Sequence, residues 1–324
     1  YKDFLFGAEG RVNPTPTQTE LPINLSESLF SQTESLHNNI DAFTPPASLQ
    51  VIEVAGWGLD TLASFEYYPK VSCISFPCSF VLDQRPRWTA DGDGTVVVPS
   101  AQYVGFTGNA EKYWLNILNY NKDNSKNYEH KNILEISPLL DFISDTITGD
   151  LAVSSYFETT EPVDPLNRFR ISIHSPITLD AYNSEGNHTG KICEPGSGFC
   201  QIEENIPNSS YLEFGEGKYL NLPEEEMAKI VIKGTGAGTF TYESEEVESD
   251  VTTVITTFED IPVTPETIGE VTLNEDSSLT LTLDEDGDGI VDDTLEALPG
   301  STVSIDTTPP ELKVTFNINS KDVT

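Results

Sequence analysis

Residues 90–100 have the sequence ADGDGTVVVPS, and this stretch decides the fold that the sequence predicts. It places Asp91 and Asp93 in a turn rich in glycine, next to a short apolar run. Glycine allows backbone conformations that a residue with a Cβ atom disfavours. Such a turn can present a carboxylate that orients a histidine and stabilises its protonated form. A calcium-binding turn and a plain surface turn remain alternatives for this composition.

A histidine lies at a suitable distance from this turn. His130 is part of residues 128–134 (YEHKNIL), just before residues 136–147 (ISPLLDFISDTI), where a Ser-Pro opening and apolar spacing predict a helix. The interval between Asp93 and His130 leaves room for a helix and a strand, and residues 110–119 (AEKYWLNILN) have helical spacing, with a loop as the alternative. The sequence therefore predicts an acid–histidine pair, against the alternative of an exposed loop histidine.

Three features together resemble a known family. They are the Asp93-Gly94-Thr95-Val96 motif, His130 before a helix, and Gly56-Trp57-Gly58 after the apolar residues 49–54 (LQVIEV). This set resembles the C-terminal part of the α/β-hydrolases, in the lipase and lecithin:cholesterol-acyltransferase-like branch. The resemblance implies an α/β fold over residues 1–150, Asp93 as the triad acid with Asp91 as the alternative, and His130 as the catalytic histidine. It also implies a lipid or other ester substrate, hydrolysis or acyl transfer, and no cofactor for catalysis.

The serine of such a triad has no counterpart in the chain, because no G-x-S-x-G occurs in it. In the family the chain order is Ser, Asp, His. We therefore expect the chain to be the C-terminal fragment of a secreted serine ester hydrolase whose serine lies upstream of Tyr1. Serine attack needs the hydroxyl, the base and an oxyanion hole together, so the fragment alone is expected to be inactive. The alternative is a non-catalytic, calcium-stabilised cell-surface or adhesive protein with a degenerate hydrolase domain.

The sequence pattern changes after residue 150. Residues 151–166 combine prolines with acidic residues and are predicted to be a linker. Residues 167–305 alternate apolar and polar positions between turns of Gly, Asn and Ser, which predicts an accessory β-sandwich domain. Residues 306–324 resemble the start of a further, truncated Ig-like module. The region resembles β-sandwich modules of bacterial extracellular proteins, which implies contact with a cell surface or matrix.

An acidic loop in the β region predicts a calcium site. Residues 284–293 have the sequence DEDGDGIVDD. Oxygen ligands at loop positions 1, 3, 5, 7 and 9 are typical of calcium loops, and here these positions are Asp284, Asp286, Asp288, Ile290 (through its carbonyl) and Asp292. Position 12 is leucine, where an EF-hand has a bidentate glutamate. The loop therefore departs from a full EF-hand, and the Ca²⁺ ion that we expect here is structural. A solvated acidic turn is the alternative.

Charge and cysteine content limit the partners and the compartment. The 17 Lys and Arg against 53 Asp and Glu give a formal net charge of −36. Such a charge repels phosphate backbones, so nucleic acid is not an expected partner. No apolar run reaches the length of a transmembrane helix. The spacing of Cys73 with Cys78 and of Cys193 with Cys200 predicts two local disulfides, with a four-cysteine zinc site as the alternative. We therefore expect an extracellular or cell-surface protein.

Overall fold

The computed structural model describes residues 27–41, 45–46, 48–72, 79–102, 110–150, 152–163, 166–174, 176–194, 196, 198–215, 217–227 and 229–305. The helices are α1 (Glu27–Asp41), α2 (Val98–Ala101), α3 (Ile117–Asn124) and α4 (Ser137–Thr148), with 3-10 turns at His130–Glu135 and Glu224–Glu226. The strands are β1 (Val51–Trp57), β2 (Thr61–Ser72), β3 (Ser79–Thr89), β4 (Ala110–Asn116), β5 (Phe157–Glu158), β6 (Asn167–His174), β7 (Ile177–Tyr182), β8 (His188–Cys193), β9 (Cys200–Glu204), β10 (Ser210–Phe214), β11 (Gly217–Pro223), β12 (Lys229–Gly234), β13 (Gly238–Glu248), β14 (Val251–Val263), β15 (Ile268–Leu273), β16 (Leu279–Asp284), β17 (Asp293–Ala297) and β18 (Thr302–Ser304).

A small three-stranded sheet organises the first part of the chain. Its order is β1-β4-β5, with β1 and β4 parallel and β5 antiparallel to β4. The strands β2 and β3 form a separate, long antiparallel hairpin. Leu115 of β4, Ile117 of α3, Phe142 of α4 and Phe157 of β5 are buried in one cluster. Helices α3 and α4 therefore share one apolar core with this sheet.

The predicted α/β-hydrolase fold is wrong. Strands make up 50% of the described residues and helices 18%. An α/β-hydrolase has a central, largely parallel sheet covered by helices on both faces. In the described part of the first region, β1 and β4 are the only strands that pair in parallel, beside one isolated parallel bridge between Leu59 and Asp93. The assignment to that family is corrected with the fold, so the family resemblance no longer supports a hydrolase activity. A short apolar run predicts a buried strand, but it does not determine how many parallel strands accompany it.

The predicted helix over residues 110–119 is also corrected. The structure has β4 up to Asn116 and α3 from Ile117 onwards. Asn116 caps α3, because its side-chain oxygen accepts a hydrogen bond from the backbone N–H of Asn119 at 3.0 Å. The apolar run that crosses this junction is buried on both sides, so it has no single period that distinguishes strand from helix. The helix predicted over residues 136–147 is confirmed as α4.

The β-sandwich is confirmed. One sheet has six strands in the order β10-β11-β6-β13-β14-β18, and the other has seven in the order β17-β16-β15-β12-β7-β8-β9. Ile171 and Tyr242 of the first sheet and Leu179 and Leu281 of the second are buried in one core cluster. Inward apolar side chains alternate with outward polar ones along β6, as one buried sheet face requires. The start of a further module, predicted over residues 306–324, lies outside the described residues.

A buried ion pair joins the sandwich to the first part of the chain. Arg168 of β6 donates to Asp60 Oδ2 at 3.1 Å and to the Gly58 carbonyl at 3.1 Å. The side chains of Arg168 and Asp60 are 0% and 1% exposed. Arg170 bonds both Asp60, at 3.3 Å, and Asp250, at 2.6 Å. The loop that follows β1 is therefore held against β6 through charged groups shielded from water.

Candidate functional site

The Gly-rich turn after β3 is held against the loop that follows β1. Gly58 N–H donates to the Ala90 carbonyl at 3.0 Å, and Leu59 N–H donates to the Gly92 carbonyl at 3.1 Å. A Cβ atom at Gly92 would lie 2.4 Å from Thr61 Oγ1, so only glycine fits there. Gly94 has a φ of +89°, which favours glycine for a second reason. Steric constraints therefore explain why Gly92 and Gly94 of this turn are glycines.

The turn positions the carboxylate of Asp93. Its Oδ1 accepts hydrogen bonds from the backbone N–H groups of Val96 at 2.8 Å and Thr95 at 3.2 Å. Its side chain is 8% exposed, and Oδ2 lies 2.8 Å from Nδ1 of His130. The two backbone donors hold Oδ1 in place, and this fixes the direction in which Oδ2 faces the imidazole.

His130 is held by both its backbone and its ring. Its N–H donates to the Asp93 carbonyl at 2.8 Å, and it begins the 3-10 turn His130–Glu135. The Asn132 side chain accepts from the N–H of Glu129 at 2.7 Å, which stabilises the start of that turn. The imidazole is 47% exposed, and no hydrogen bond to its Nε2 occurs among the described residues. The ring is therefore oriented at Nδ1 and accessible to solvent.

Asp91 has a different environment from Asp93. Its Oδ1 is buried without a hydrogen-bond partner among the described residues. Burial, assisted by the nearby negative charges of Glu161 and Asp250, raises the pKa of Asp91 to about 6. Of the two predicted acids, the structure brings Asp93 to His130, and the described residues show no hydrogen bond between Asp91 and that histidine.

The raised pKa of Asp91 predicts a pH-dependent gain in stability on replacement by Asn. Because the folded state holds the Asp91 proton more tightly than the unfolded state, this residue lowers stability as pH rises from about 4 to about 6. Asp91→Asn should stabilise the protein by about 1–2 kcal/mol at pH 8, a value reduced for partial solvent exposure, and change little at pH 4. Urea unfolding at both pH values measures this. Equal gains at both would contradict it, and the exposed Asp141→Asn serves as the control.

The acidic loop 284–293 brings three of the five predicted calcium ligands together. Carboxylate oxygens of Asp284, Asp286 and Asp292 lie within 4.8 Å of one another. Asp284 is buried, and its two oxygens accept from the N–H groups of Gly287 at 2.7 Å and Gly289 at 2.8 Å. Asp288, the fourth predicted carboxylate, instead accepts from the N–H of Ile290, the fifth predicted ligand, at 2.8 Å. Carboxylate oxygens are ligands of hard cations such as Ca²⁺ and Mg²⁺.

One of the two predicted disulfides is present. Cys193 and Cys200 are bonded with an S–S distance of 2.02 Å, at the end of the β8–β9 hairpin. This bond excludes a zinc site that uses these two thiolates. The predicted pair Cys73 and Cys78 lies outside the described residues. Among the described residues, no helix has both the length and the apolar character needed to cross a bilayer.

A cleft lies beside the acid–histidine pair. It has a volume of about 220 Å³ and lies between the turn region and the sandwich. Leu59, Leu62, Gly94 and Glu129 line one side, and Leu212 of β10 is among the residues that line the other. Gly94 directly follows Asp93, and Glu129 directly precedes His130. Sequence patterns carry no signal for this cleft, because residues from distant parts of the sequence, such as Leu59 and Leu212, form its two sides.

The chain was also compared as a whole with known proteins. Comparisons with protein-family models, with curated proteins and with solved structures found no match.

Proposed function

We propose that Asp93 and His130 are the orienting acid and the general base of an acyl-transfer site that cleaves a carboxylic ester. The observation that carries this proposal is the 2.8 Å contact between Asp93 Oδ2 and His130 Nδ1, with the imidazole 47% exposed. A carboxylate at Nδ1 favours the tautomer whose Nε2 lone pair can accept a proton. The proposal rests on this geometry and does not use the family resemblance that the fold contradicts.

His130 can perform the proton transfers that ester cleavage requires. In the first, Nε2 takes the proton of a serine hydroxyl as the oxygen attacks the ester carbonyl. The resulting imidazolium is stabilised by Asp93 and returns the proton to the leaving alcohol oxygen. We include in the proposal that the serine precedes this chain in the intact protein, because no hydroxyl bonds Nε2 of His130 among the described residues. Water or a second alcohol then accepts the acyl group.

The cleft next to the pair supports a small ester, lipid or otherwise, as the substrate. Apolar contacts in its lining come from Leu59, Leu62, Trp88 and Leu212. The rest of the lining is mostly polar and includes the carboxylates of Asp60, Glu129 and Glu204, so the cleft can contact the polar part of an ester as well as its acyl chain. Its volume of about 220 Å³ suits a short acyl chain better than a long one.

The experiment that tests the proposed function uses the protein extended upstream to include its serine. Hydrolysis of p-nitrophenyl butyrate by this protein is compared with hydrolysis by its His130→Gln form. Loss of nearly all activity supports the assignment of the general base. Retained activity in the variant, or an upstream region without a nucleophilic serine, contradicts it.

The acidic loop favours a second function, that of a calcium-stabilised β-sandwich acting at a cell surface or matrix. The gathered carboxylates of Asp284, Asp286 and Asp292 support this proposal. The Cys193–Cys200 disulfide supports an extracellular location, because such bonds persist mainly in oxidising compartments. The two functions are compatible, since the loop and the acid–histidine pair lie in different parts of the chain.

Calcium is expected to stabilise the chain against heat through this loop. A ligand that binds only the folded state at 100 times its dissociation constant adds about 2.7 kcal/mol. Thermal unfolding of the wild type should therefore shift upward with CaCl₂ relative to EDTA, and the shift should disappear in Asp286→Asn. Glu285→Gln removes the same charge from the same loop outside the carboxylate cluster and should keep the shift. An equal response of both variants to CaCl₂ would count against the site.

A further inference from the structure

A second cavity lies between the β2–β3 hairpin and the outer face of the six-stranded sheet. Its volume is about 160 Å³. One wall is formed by Arg85, Arg87 and Trp88 of β3, and Asp250 of the turn between β13 and β14 also lines the cavity. This cavity shares only Trp88 with the cleft beside the acid–histidine pair. An inference about its ligand therefore does not depend on the proposed function.

The floor of the cavity is an ordered array of polar side chains. Residues on alternate positions of β6, β11 and β13 face outward, because Ile171 and Tyr242 between them face the sandwich core. The strand register places these outward residues in two neighbouring rows, Tyr219–Ser172–Glu243 and Asn221–Arg170–Glu245. All six line the cavity. The floor thus presents hydroxyl, amide, guanidinium and carboxylate groups side by side.

Several of these groups have hydrogen-bonding capacity left over. Arg170 uses Nη2 for Asp60 and Asp250, while its Nε is buried without a partner among the described residues. Arg87 bonds Glu66 through Nη2, which leaves further donors of its five-donor guanidinium. Glu243 makes no hydrogen bond or ion pair among the described residues. The cavity therefore offers spare donors and a spare acceptor at the same time.

The charges of the lining cancel. Three guanidinium groups, of Arg85, Arg87 and Arg170, face three carboxylates, of Glu243, Glu245 and Asp250. The formal net charge of the protein is −36, and its field repels a free anion. A free cation would meet the guanidinium groups. A neutral ligand that both donates and accepts hydrogen bonds fits this lining best.

We propose that this cavity binds a neutral polyhydroxylated ring, of the size of one monosaccharide unit. Each hydroxyl of such a ring both donates and accepts, so it can accept from Arg170 and Arg87 and donate to Glu243. The apolar C–H face of the ring finds an aromatic surface in Trp88, which lines the same wall. The volume of about 160 Å³ is below the 300–1,000 Å³ range of larger ligand pockets and suits a single ring.

The test measures binding of methyl β-D-galactoside, methyl α-D-glucoside and myo-inositol to the whole chain, by saturation-transfer NMR and calorimetry. Acetate and inorganic phosphate serve as anionic probes. We expect saturable binding of at least one of the three polyols, with affinity lowered at least 10-fold in Glu243→Gln. The control Glu259→Gln changes an exposed carboxylate of β14 outside the cavity and should bind as the wild type does.

Three outcomes would overturn the proposal. One is the absence of saturable binding for all three polyols. Another is binding of acetate or phosphate alone, which would make the cavity an anion site. The third is polyol binding that is unchanged in both Glu243→Gln and Arg87→Gln, since the ligand would then lie elsewhere. Circular dichroism and the melting temperature of each variant establish that the fold is intact, so that a lost affinity reports on the cavity.

Discussion

Replacing Asp93 by Asn is expected to reduce kcat for ester cleavage by about 10⁴-fold in the serine-containing protein, with little change in KM. Asn can present its amide N–H to Nδ1 of His130, and the imidazole proton then moves to Nε2. An imidazole with its proton at Nε2 cannot accept the serine proton. The substitution preserves the shape of the site, because two backbone N–H groups still hold Oδ1 of residue 93.

Asp91→Asn separates this explanation from a general effect of charge removal. The two aspartates are two residues apart in the same turn, and only Asp93 contacts His130. We expect Asp91→Asn to retain wild-type kcat while gaining stability at pH 8. Steady-state hydrolysis of p-nitrophenyl butyrate measures both variants. Equal losses in the two would show that the turn, and not the Asp93–His130 contact, controls activity.

The same prediction has a spectroscopic readout that needs no serine. The ¹⁵N chemical shifts of His130 distinguish a proton on Nδ1 from a proton on Nε2 in the neutral imidazole. The wild-type chain should show the Nδ1–H tautomer, and Asp93→Asn should shift it to Nε2–H. A mixture of tautomers that is the same in both proteins would mean that Asp93 does not orient the ring, whatever the activity measurements give.

The sequence predicted the acid–histidine pair from local features. A glycine-rich turn with two aspartates and a histidine before a helix are both visible within short windows, and the 2.8 Å contact joins them. The sequence motif favoured Asp93 over Asp91 as the acid, and the backbone of the turn supplies the physical reason, because it directs the carboxylate of Asp93 toward His130. Alternation of polar and apolar residues likewise predicted the sandwich, where each strand buries one face.

The fold of the first part could not be predicted in the same way. A buried parallel strand and a buried helix both produce continuous apolar runs, and the run that crosses Asn116 contains one of each. The resemblance of three short motifs to the α/β-hydrolases then predicted a central parallel sheet, which the structure lacks. Arg168 and Asp60 are 108 residues apart, and nothing in either local sequence indicates the other. Contacts of this kind depend on the whole fold.

Replacing Arg168 by Met is expected to destabilise the protein by about 3–5 kcal/mol. The side chain of Asp60 is 1% exposed, and the charge that it faces directly would be lost. The Gly58 carbonyl would also lose a donor, since Arg168 Nη2 bonds it at 3.1 Å. Arg170 still contacts Asp60 at 3.3 Å, so we expect a value toward the lower end of this range. Urea unfolding of the whole chain measures the difference.

Two further variants show whether burial is the cause. Lys122 and Glu225 form an exposed ion pair at 3.5 Å, which also links the two parts of the chain. Lys122→Met removes this pair and should lower the free energy of unfolding by less than about 1 kcal/mol. Arg168→Met combined with Asp60→Leu removes both buried charges together. Apolar pairs often replace buried ion pairs at little cost, so this double variant should recover much of the lost stability.

The Arg168 variant is also expected to loosen the turn that holds Asp93. Leu59, the neighbour of Asp60, forms a β-bridge with Asp93, and Gly58 N–H bonds the Ala90 carbonyl. Loss of the buried ion pair removes the support for this loop from β6, so amide exchange at Leu59 and Gly94 should accelerate more than exchange in β12 of the sandwich. Acceleration confined to the sandwich, with exchange at Leu59 and Gly94 unchanged, would indicate that Arg168 stabilises the sandwich alone. In that case the acid–histidine pair would derive its geometry from the first part of the chain without help from β6.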